Sequence, residues 1–215
     1  MWEMGINLPV STQQSTTLRA LIGDPTELDH PEIAMRVRSI DPDLWQHAGA
    51  VAAHVDAMCN LLPESNNVQR ERFVDAAWLH DIGKLTMSRE ILLKPSPLSE
   101  AEWIDMRDHP SRGAEFVQCS NSLSSLAPLI RQHHEWFEGG GYPDRLSGNE
   151  IELCARLIGV ADAYDAMTTW RAYRLKMADE DAIAELQRCA GTQFDPEIVE
   201  LFIRATDDLR TKAVR

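Results

Sequence analysis

The sequence predicts an all-α protein that folds as a compact bundle of helices. Apolar residues recur at spacings of three and four along residues 44–62, which places them on one face of a helix. No stretch alternates apolar and polar residues with a period of two, so paired strands are not predicted. The sequence also contains no internal repeat and no glycine-rich phosphate-binding pattern.

Turn and capping signals divide the chain into further helices. Pro63 ends the first long helix, and Ser99 with Glu102 forms an S-x-x-E capping box that begins another. The glycines between Glu138 and Pro143 predict a loop. The other expected helices are residues 68–79, 99–108, a helix from 110, 123–136 with Pro128 as an alternative start, 151–169, 182–190 and 196–203.

The length of 215 residues suits one domain with a sizeable core. We assign residues 31–210 to this domain and residues 1–30 to an N-terminal extension, in which residues 16–22 are expected to form a short helix. The net charge of -13 argues against a nucleic-acid polymer as a partner, because such binding relies on Lys and Arg meeting phosphates. A small anion is not excluded, since a metal pair reverses the local field.

The cysteines and the hydropathy pattern predict a cytoplasmic protein. Cys59, Cys119, Cys154 and Cys189 are widely spaced and form no CxxC pair, which is typical of thiols in a reducing compartment. No apolar run approaches the roughly 20 residues that a membrane span needs. Residues 1–10 lack the basic start and apolar middle of a secretory signal.

Histidines and aspartates are the candidate functional residues. His80 and Asp81 are adjacent at the end of one predicted helix, and His133 and His134 at the end of another. Each of them alone fits an ordinary surface position. Asp162 instead lies within the apolar run 157–163, where a buried carboxylate needs a cation or several donors. The full candidate set is His47, His80, Asp81, His109, His133, His134 and Asp162.

This candidate set favours a two-metal hydrolytic site. Neutral imidazoles and carboxylates together suit Mn, Fe or Zn, whereas a histidine-rich set does not suit Ca or Mg. Two such ions about 3.5–4 Å apart clamp the oxygens of a phosphoryl displacement and lower the pKa of a water between them. His30 and His54 match no such pattern and are expected on the surface.

Several runs of sequence resemble a known family. HDIGK at residues 80–84 resembles the HD-x-G-K motif of HD-superfamily phosphohydrolases, and HHEWFEGGGYP at 133–143 resembles the HHE…G-x-GYP signature of the HD-GYP group. Shorter matches follow in the family's order: HP with GA at 109–114, VADAYDAMT at 160–168, RAYR at 171–174 and GTQFDP at 191–196. The resemblance covers about residues 40–205 and implies an HD-superfamily helical bundle.

The resemblance also implies a set of metal ligands. One ion would be held by His47, His80, Asp81 and Asp162, and Asp81 would bridge to a second ion held by His109, His133 and His134. Some members carry a glutamate four residues before the first histidine, where it helps to hold a third metal. Asp43, shorter by one methylene, stands at that position, so we expect two ions and retain Asp43 as the candidate ligand of a third.

The substrate contacts are likewise implied by the resemblance. Asp81 and Lys84 would carry the catalytic roles, with Lys84, Arg171 and Arg174 on phosphate oxygens and Tyr142 shaping the substrate pocket. Without the resemblance, Lys84 is an ordinary lysine just past a helix, the arginines a solvated charge pair, and Tyr142 part of a plain turn. Two departures, Ala172 for proline and Glu138 for aspartate, remove no expected metal ligand.

The activity that the resemblance implies is hydrolysis of the bacterial second messenger cyclic di-GMP to linear pGpG and onward to GMP. The cofactor would be two divalent transition-metal ions, Fe or Mn first and Zn as an alternative. A weakly catalytic module that binds cyclic di-GMP, or that docks onto a GGDEF-type diguanylate cyclase through the GYP loop, stays open. So do a phosphodiesterase acting on cyclic GMP-AMP, a different HD enzyme such as a di-iron oxygenase, and a homodimer.

Overall fold

The structure is a computed structural model that describes residues 18–63, 66–169 and 176–213. A short helical stretch at 18–22 precedes the labelled helices. These are α1 His30–Ile40, α2 Pro42–Cys59, α3 Asn67–Leu79, α4 Arg89–Leu92, α5 Glu100–Arg107, α6 His109–Gln118, α7 Ala127–Arg131, α8 Leu153–Thr168, α9 Asp179–Arg188 and α10 Pro196–Ala213. Three 3-10 segments are Ile82–Thr86, Ser124–Leu126 and Gly148–Glu150. The described residues form no strand beyond one isolated bridge, which confirms the all-α class.

Several helices begin where a side chain satisfies free N–H groups of the first turn. The Ser99 hydroxyl accepts from the Glu102 N–H and the Glu102 carboxylate accepts from the Ser99 N–H, so the predicted capping box is confirmed. Asp29 and Glu32 form a second capping box at α1. The carboxylate of Asp41 caps α2 by accepting from Leu44.

Two predicted helices differ in length from those of the structure. The segment expected at 123–136 contains only Ser124–Leu126 and the five-residue α7, and the chain leaves the helix at Gln132. The His134 carbonyl accepts from the Tyr142 N–H instead of from a following helical turn. His133 and His134 therefore lie in a turn rather than on a helix. The last helix, in contrast, continues ten residues past the expected end at 203.

The second helix is the centre of the bundle. α2 packs against α1, α3, α8 and α10, and its buried side chains come from one stripe. The core continues through α8, which is buried along most of its length. The largest fully buried apolar side chains are Leu18, Ile22, Ile33, Met58, Leu79, Phe116, Leu129, Ile130, Ile151, Leu157 and Phe202.

Part of the predicted N-terminal extension packs into this core. Leu18 and Ile22 are fully buried, and the Arg36 guanidinium donates a hydrogen bond to the Ile22 carbonyl. Residues 16–17 of the helix expected at 16–22 lie outside the described residues. Residues from 18 onward thus contribute to the same core as the domain, while the boundary at residue 30 stays a prediction.

His54 and His30 are not simple surface residues, contrary to expectation. The His54 ring lies 5.3 Å from the Tyr164 ring and 5.2 Å from the Phe202 ring, and burial lowers its pKa. His30 is half-buried, with Nδ1 3.3 Å from Asp75. Helical spacing alone does not distinguish these positions from exposed ones.

Replacing Phe202 by alanine should destabilise the bundle, because its ring is fully buried against His54 and Tyr164. We expect the free energy of unfolding to fall by about 3–5 kcal/mol, measured by urea denaturation. Leu209→Ala on the same helix is the control, since Leu209 is 42% exposed. Equal losses in the two variants would contradict this description of the core.

Candidate metal centre

A close approach of two backbones places Asp81 beside His109. The segment Ile82–Thr86 packs on α6, and a Cβ added at Gly83 would lie 2.0 Å from the His109 carbonyl oxygen. Only a residue without a side chain fits at that distance. The glycine of the HDIGK run is therefore required by packing, and it brings the end of α3 against the start of α6.

The two carboxylate oxygens of Asp81 face different histidines. Oδ1 lies 3.0 Å from Nε2 of His109 and 3.8 Å from Nε2 of His133. Oδ2 lies 3.4 Å from Nε2 of His80 and 3.6 Å from Nε2 of His47. Asp81 is 1% exposed. One buried carboxylate thus stands between two sets of imidazoles.

All seven candidate ligands fall into two compact groups. In each group, one ligand atom from every member lies within 4.8 Å of the others. Asp162 enters through Oδ1, which is 3.1 Å from Nε2 of His47. The groups are Asp81, His109, His133 and His134, and His47, His80 and Asp162. Asp81 borders the second group through its Oδ2, so the geometry fits the bridging role that the motifs imply.

Three histidines are oriented by their own backbone. Each ring donates from Nδ1 to the carbonyl three residues earlier, and this leaves Nε2 as an acceptor. The bonds join His80 to Ala77 (2.7 Å), His109 to Met106 (2.6 Å) and His133 to Ile130 (2.6 Å). The imidazoles are therefore held with the ligand-type lone pair toward Asp81.

Asp165 orients the ring of a fourth histidine, His47. The motif match assigns no role to Asp165. Its Oδ2 lies 2.6 Å from Nδ1 of His47, and its Oδ1 accepts from the Thr169 hydroxyl. Asp165 follows Asp162 by three residues on α8, so both carboxylates lie near one face of that helix. The three-residue spacing of the two aspartates is the sequence signal that points to Asp165. A carboxylate behind a histidine increases its basicity as a ligand.

Neighbouring charges favour the deprotonated form of Asp81, and burial favours the neutral form of His134. Burial raises the pKa of Asp81. Lys84 and His80 outweigh this effect and hold the pKa well below its usual range. Burial, with a smaller effect of His109, lowers the pKa of His134 to about 3. His47 is the exception. Burial lowers its pKa, but the carboxylates of Asp162 and Asp165 outweigh this and raise it to about 9, so His47 must release a proton before it can bind an ion.

Buried polar atoms test whether a metal fits these residues. Among the described residues, Nε2 of His47, Nε2 of His80 and Oδ1 of Asp81 are buried and have no hydrogen-bond partner. Such atoms are costly unless a cation or a donor satisfies them. A donor set of imidazoles and carboxylates fits divalent transition metals. The residues present thus fit a metal-binding site, which is consistent with the predicted cofactor class.

Comparison with known proteins identifies the family. The family described as "HD domain" matches residues 29–198. The chain belongs to the HD-domain family. It is 33% identical over 200 residues, 89% of this chain, to the cyclic di-GMP phosphodiesterase response regulator RpfG of Xanthomonas campestris, covering 52% of that protein. It is 37% identical over 151 residues, 70% of this chain, to the 3'3'-cGAMP-specific phosphodiesterase 3 of Vibrio cholerae, covering 33% of that protein.

A solved structure supports the same fold. The HDG"Y"P protein Bd1817 from Bdellovibrio bacteriovorus matches with a TM-score of 0.64 and 18% identity, over 93% of this chain and 62% of that one. These findings confirm the predicted resemblance to HD-GYP proteins. The chain spans between a third and about a half of the two curated relatives. No helix in the described part of the HD-domain chain is long and apolar enough to cross a membrane.

Four other predicted site residues of the HD domain are Lys84, Asp43, Arg171 and Arg174, of which the structure places Lys84 beside the ligand groups. Nζ of Lys84 lies 2.5 Å from Oδ2 of Asp81, and the lysine side chain is partly exposed. Asp43 is exposed in the first turn of α2 and belongs to neither ligand group, so a third metal stays a prediction. Arg171 and Arg174 lie outside the described residues.

Tyr142 belongs to a loop that Glu135 holds against the site. The ring of Tyr142 lies 4.9 Å from the ring of His134. Glu135 is buried, and its carboxylate accepts the backbone N–H groups of residues 144, 145 and 146. A Cβ added at Gly141 would lie 2.2 Å from the backbone nitrogen of Trp136, so the loop is too tight for a side chain at residue 141. Glu135 thus holds the loop in place, a role that its position in the HHE run does not by itself indicate.

The C-terminal FDP turn supports the other side of this loop. Backbone N–H groups of Phe137 and Glu138 donate to the carbonyls of Gln193 and Thr192. A cavity of about 170 Å³ lies between the loop and α8 and is lined in part by His134 and Asp162. Small-molecule pockets usually measure roughly 300–1,000 Å³, so this cavity does not hold a whole dinucleotide.

Asp165→Asn should weaken metal binding by the HD domain about 10- to 100-fold, because the neutral amide no longer holds the His47 ring with Nδ1–H toward residue 165 and Nε2 toward the ligand group. The measurement is competitive titration of Mn²⁺ against a chelating indicator, with Asp208→Asn as an exposed control on α10. An unchanged affinity in Asp165→Asn would contradict an orienting role for this carboxylate.

Proposed function

We propose that this chain is a metal-dependent phosphodiesterase that hydrolyses a cyclic dinucleotide, with cyclic di-GMP as the first candidate. The observation that carries the proposal is the buried Asp81 carboxylate, whose oxygens face two separate sets of imidazole Nε2 atoms. That arrangement suits two ions sharing one carboxylate. The names of the curated relatives support the reaction class.

The ligand sets follow from the two groups. We assign His47, His80, Asp81 and Asp162 to one ion and Asp81, His109, His133 and His134 to the other. When bound, divalent ions supply a Lewis acid for phosphoryl oxygens and a water of lowered pKa. Fe or Mn is our first assignment and Zn the alternative, because mixed nitrogen and oxygen ligands suit all three.

The chain's own side chains would position the phosphodiester. Lys84 provides a cation next to Asp81, and the lysine side chain is partly exposed. A phosphate oxygen that enters the site can therefore replace the Asp81 carboxylate as the partner of Lys84. Tyr142 covers the ring of His134 and would form one wall of the pocket. Arg171 and Arg174 stay proposed phosphate contacts on the strength of the RAYR match.

Cyclic GMP-AMP is the alternative substrate, since the Vibrio cholerae relative is named a 3'3'-cGAMP-specific phosphodiesterase. Hydrolysis of cyclic di-GMP would give linear pGpG and then GMP. We further propose a cytoplasmic location, which the four unpaired cysteines support. A docking role of the GYP loop toward a GGDEF-type partner, and a homodimer, are kept as untested proposals.

A turnover assay tests the proposal. We expect the anaerobically purified, Mn²⁺-loaded protein to convert cyclic di-GMP to a linear product that chromatography resolves, with cyclic GMP-AMP assayed in parallel. His80→Ala should lose this activity together with bound metal, because His80 is fully buried in one ligand group. His30→Asn is the control, since His30 belongs to neither group.

Two outcomes would contradict the phosphodiesterase assignment. Tight binding of both nucleotides without product would support the binding module instead. Product formation by metal-depleted His80→Ala at the rate of the unchanged protein would show that the two groups of ligands are not needed for the reaction.

A further inference from the structure

An array of rings and one guanidinium extends outward from the predicted metal ligand His134. The ring of Tyr142 lies 4.9 Å from that of His134. The guanidinium carbon of Arg107 lies 5.9 Å from the centre of the Tyr142 ring and 5.6 Å from the centre of the Trp103 ring. Both distances are within the range of cation–π contacts. Arg107, the last residue of α5, thus contacts Tyr142, and the Tyr142 ring in turn contacts the predicted metal ligand His134.

Arg107 has unused donors. Among the described residues its guanidinium has no hydrogen bond and no ion pair, and the residue is exposed. Arg112 on the next helix shows the opposite arrangement, being buried with Asp105, Asp108 and Thr86 as partners. Within the part of the chain that the structure describes, the five N–H groups of Arg107 are thus free to bind a ligand, and its guanidinium lies against the rings of Trp103 and Tyr142.

The exposed indole beside Arg107 offers a stacking face. Trp103 is 45% exposed, and it precedes Arg107 by four residues, so the two side chains share one face of α5. An exposed aromatic ring can stack on a nucleobase, whichever base it is. A phosphate would use only the cation and leave this ring without a partner. A base uses both the stacking face and the N–H edge.

We infer that Trp103 and Arg107 form a guanine subsite, in which the base stacks on Trp103 and the Arg107 guanidinium donates to O6 and N7. This inference rests on the proposed function, because the base must belong to the cyclic dinucleotide whose phosphodiester lies at the metal centre. Arginine matches the two acceptors of guanine, whereas adenine presents a donor at N6. Arg107 is accordingly a residue that determines which base the site accepts.

Exchange of Arg107 for glutamine tests the inference, because a glutamine amide pairs with the donor and acceptor of adenine. Metal-loaded Arg107→Gln is assayed with cyclic di-GMP, cyclic GMP-AMP and cyclic di-AMP, and its metal content is measured. We expect kcat/KM for cyclic di-GMP to fall about 10- to 100-fold, mainly through KM. For cyclic di-AMP, kcat/KM should not fall, and the metal content should stay the same. Arg38→Gln, an exposed arginine on α1, is the control.

The outcomes separate this inference from the proposed function. Equal losses on all three nucleotides, or no change in Arg107→Gln while the unchanged protein hydrolyses cyclic di-GMP, overturn the guanine subsite alone. If the unchanged protein hydrolyses none of them, the proposed activity fails, and equilibrium binding of the same nucleotides decides the subsite. A selective loss of affinity for cyclic di-GMP then supports it, and equal affinities or an absence of binding overturn it.

Discussion

The interaction on which the structure depends is the burial of Asp81 among four histidines. A carboxylate that is almost fully removed from water is costly unless opposite charge or donors surround it. Here the surroundings are mostly imidazole acceptors, oriented by backbone carbonyls so that Nε2 faces the carboxylate. Lys84 supplies one cation. Metal cations held between the carboxylate and the rings would satisfy the remaining buried atoms, and this requirement links the fold to its proposed chemistry.

Packing elsewhere in the bundle fixes the geometry of that cluster. Gly83 allows the chain after α3 to touch the backbone of α6, and Gly141 allows the loop after α7 to turn beneath Trp136. Glu135 holds that loop through three backbone N–H groups. Sites on rigid elements are held more accurately than sites on free loops. The glycines and Glu135 are thus structural requirements of the site as much as parts of a sequence signature.

Much of this was predictable because the relevant signals are local. Helical spacing gave α2 and α8, and Ser99 with Glu102 gave the start of α5. The short α7 was not predictable from periodicity, since the chain past Gln132 pairs the His134 carbonyl with the Tyr142 N–H, a contact that helical spacing does not indicate.

The candidate ligands were predicted by motif, yet their positioning residues were not. Asp165 and Glu135 act through contacts across the fold, on His47 and on residues 144–146. Arg107 and Trp103 carry no motif, and their relation to Tyr142 exists only in three dimensions. The structure is therefore needed to separate residues that bind from residues that hold the binding groups in place.

The most direct measurement is the metal stoichiometry of the anaerobically purified chain by elemental analysis, compared with Asp81→Asn. A shared carboxylate predicts two transition-metal ions per chain, with both occupancies falling when Asp81 loses its charge. A single ion in the unchanged protein, or two ions retained by Asp81→Asn, would contradict the claim that Asp81 joins two ligand sets.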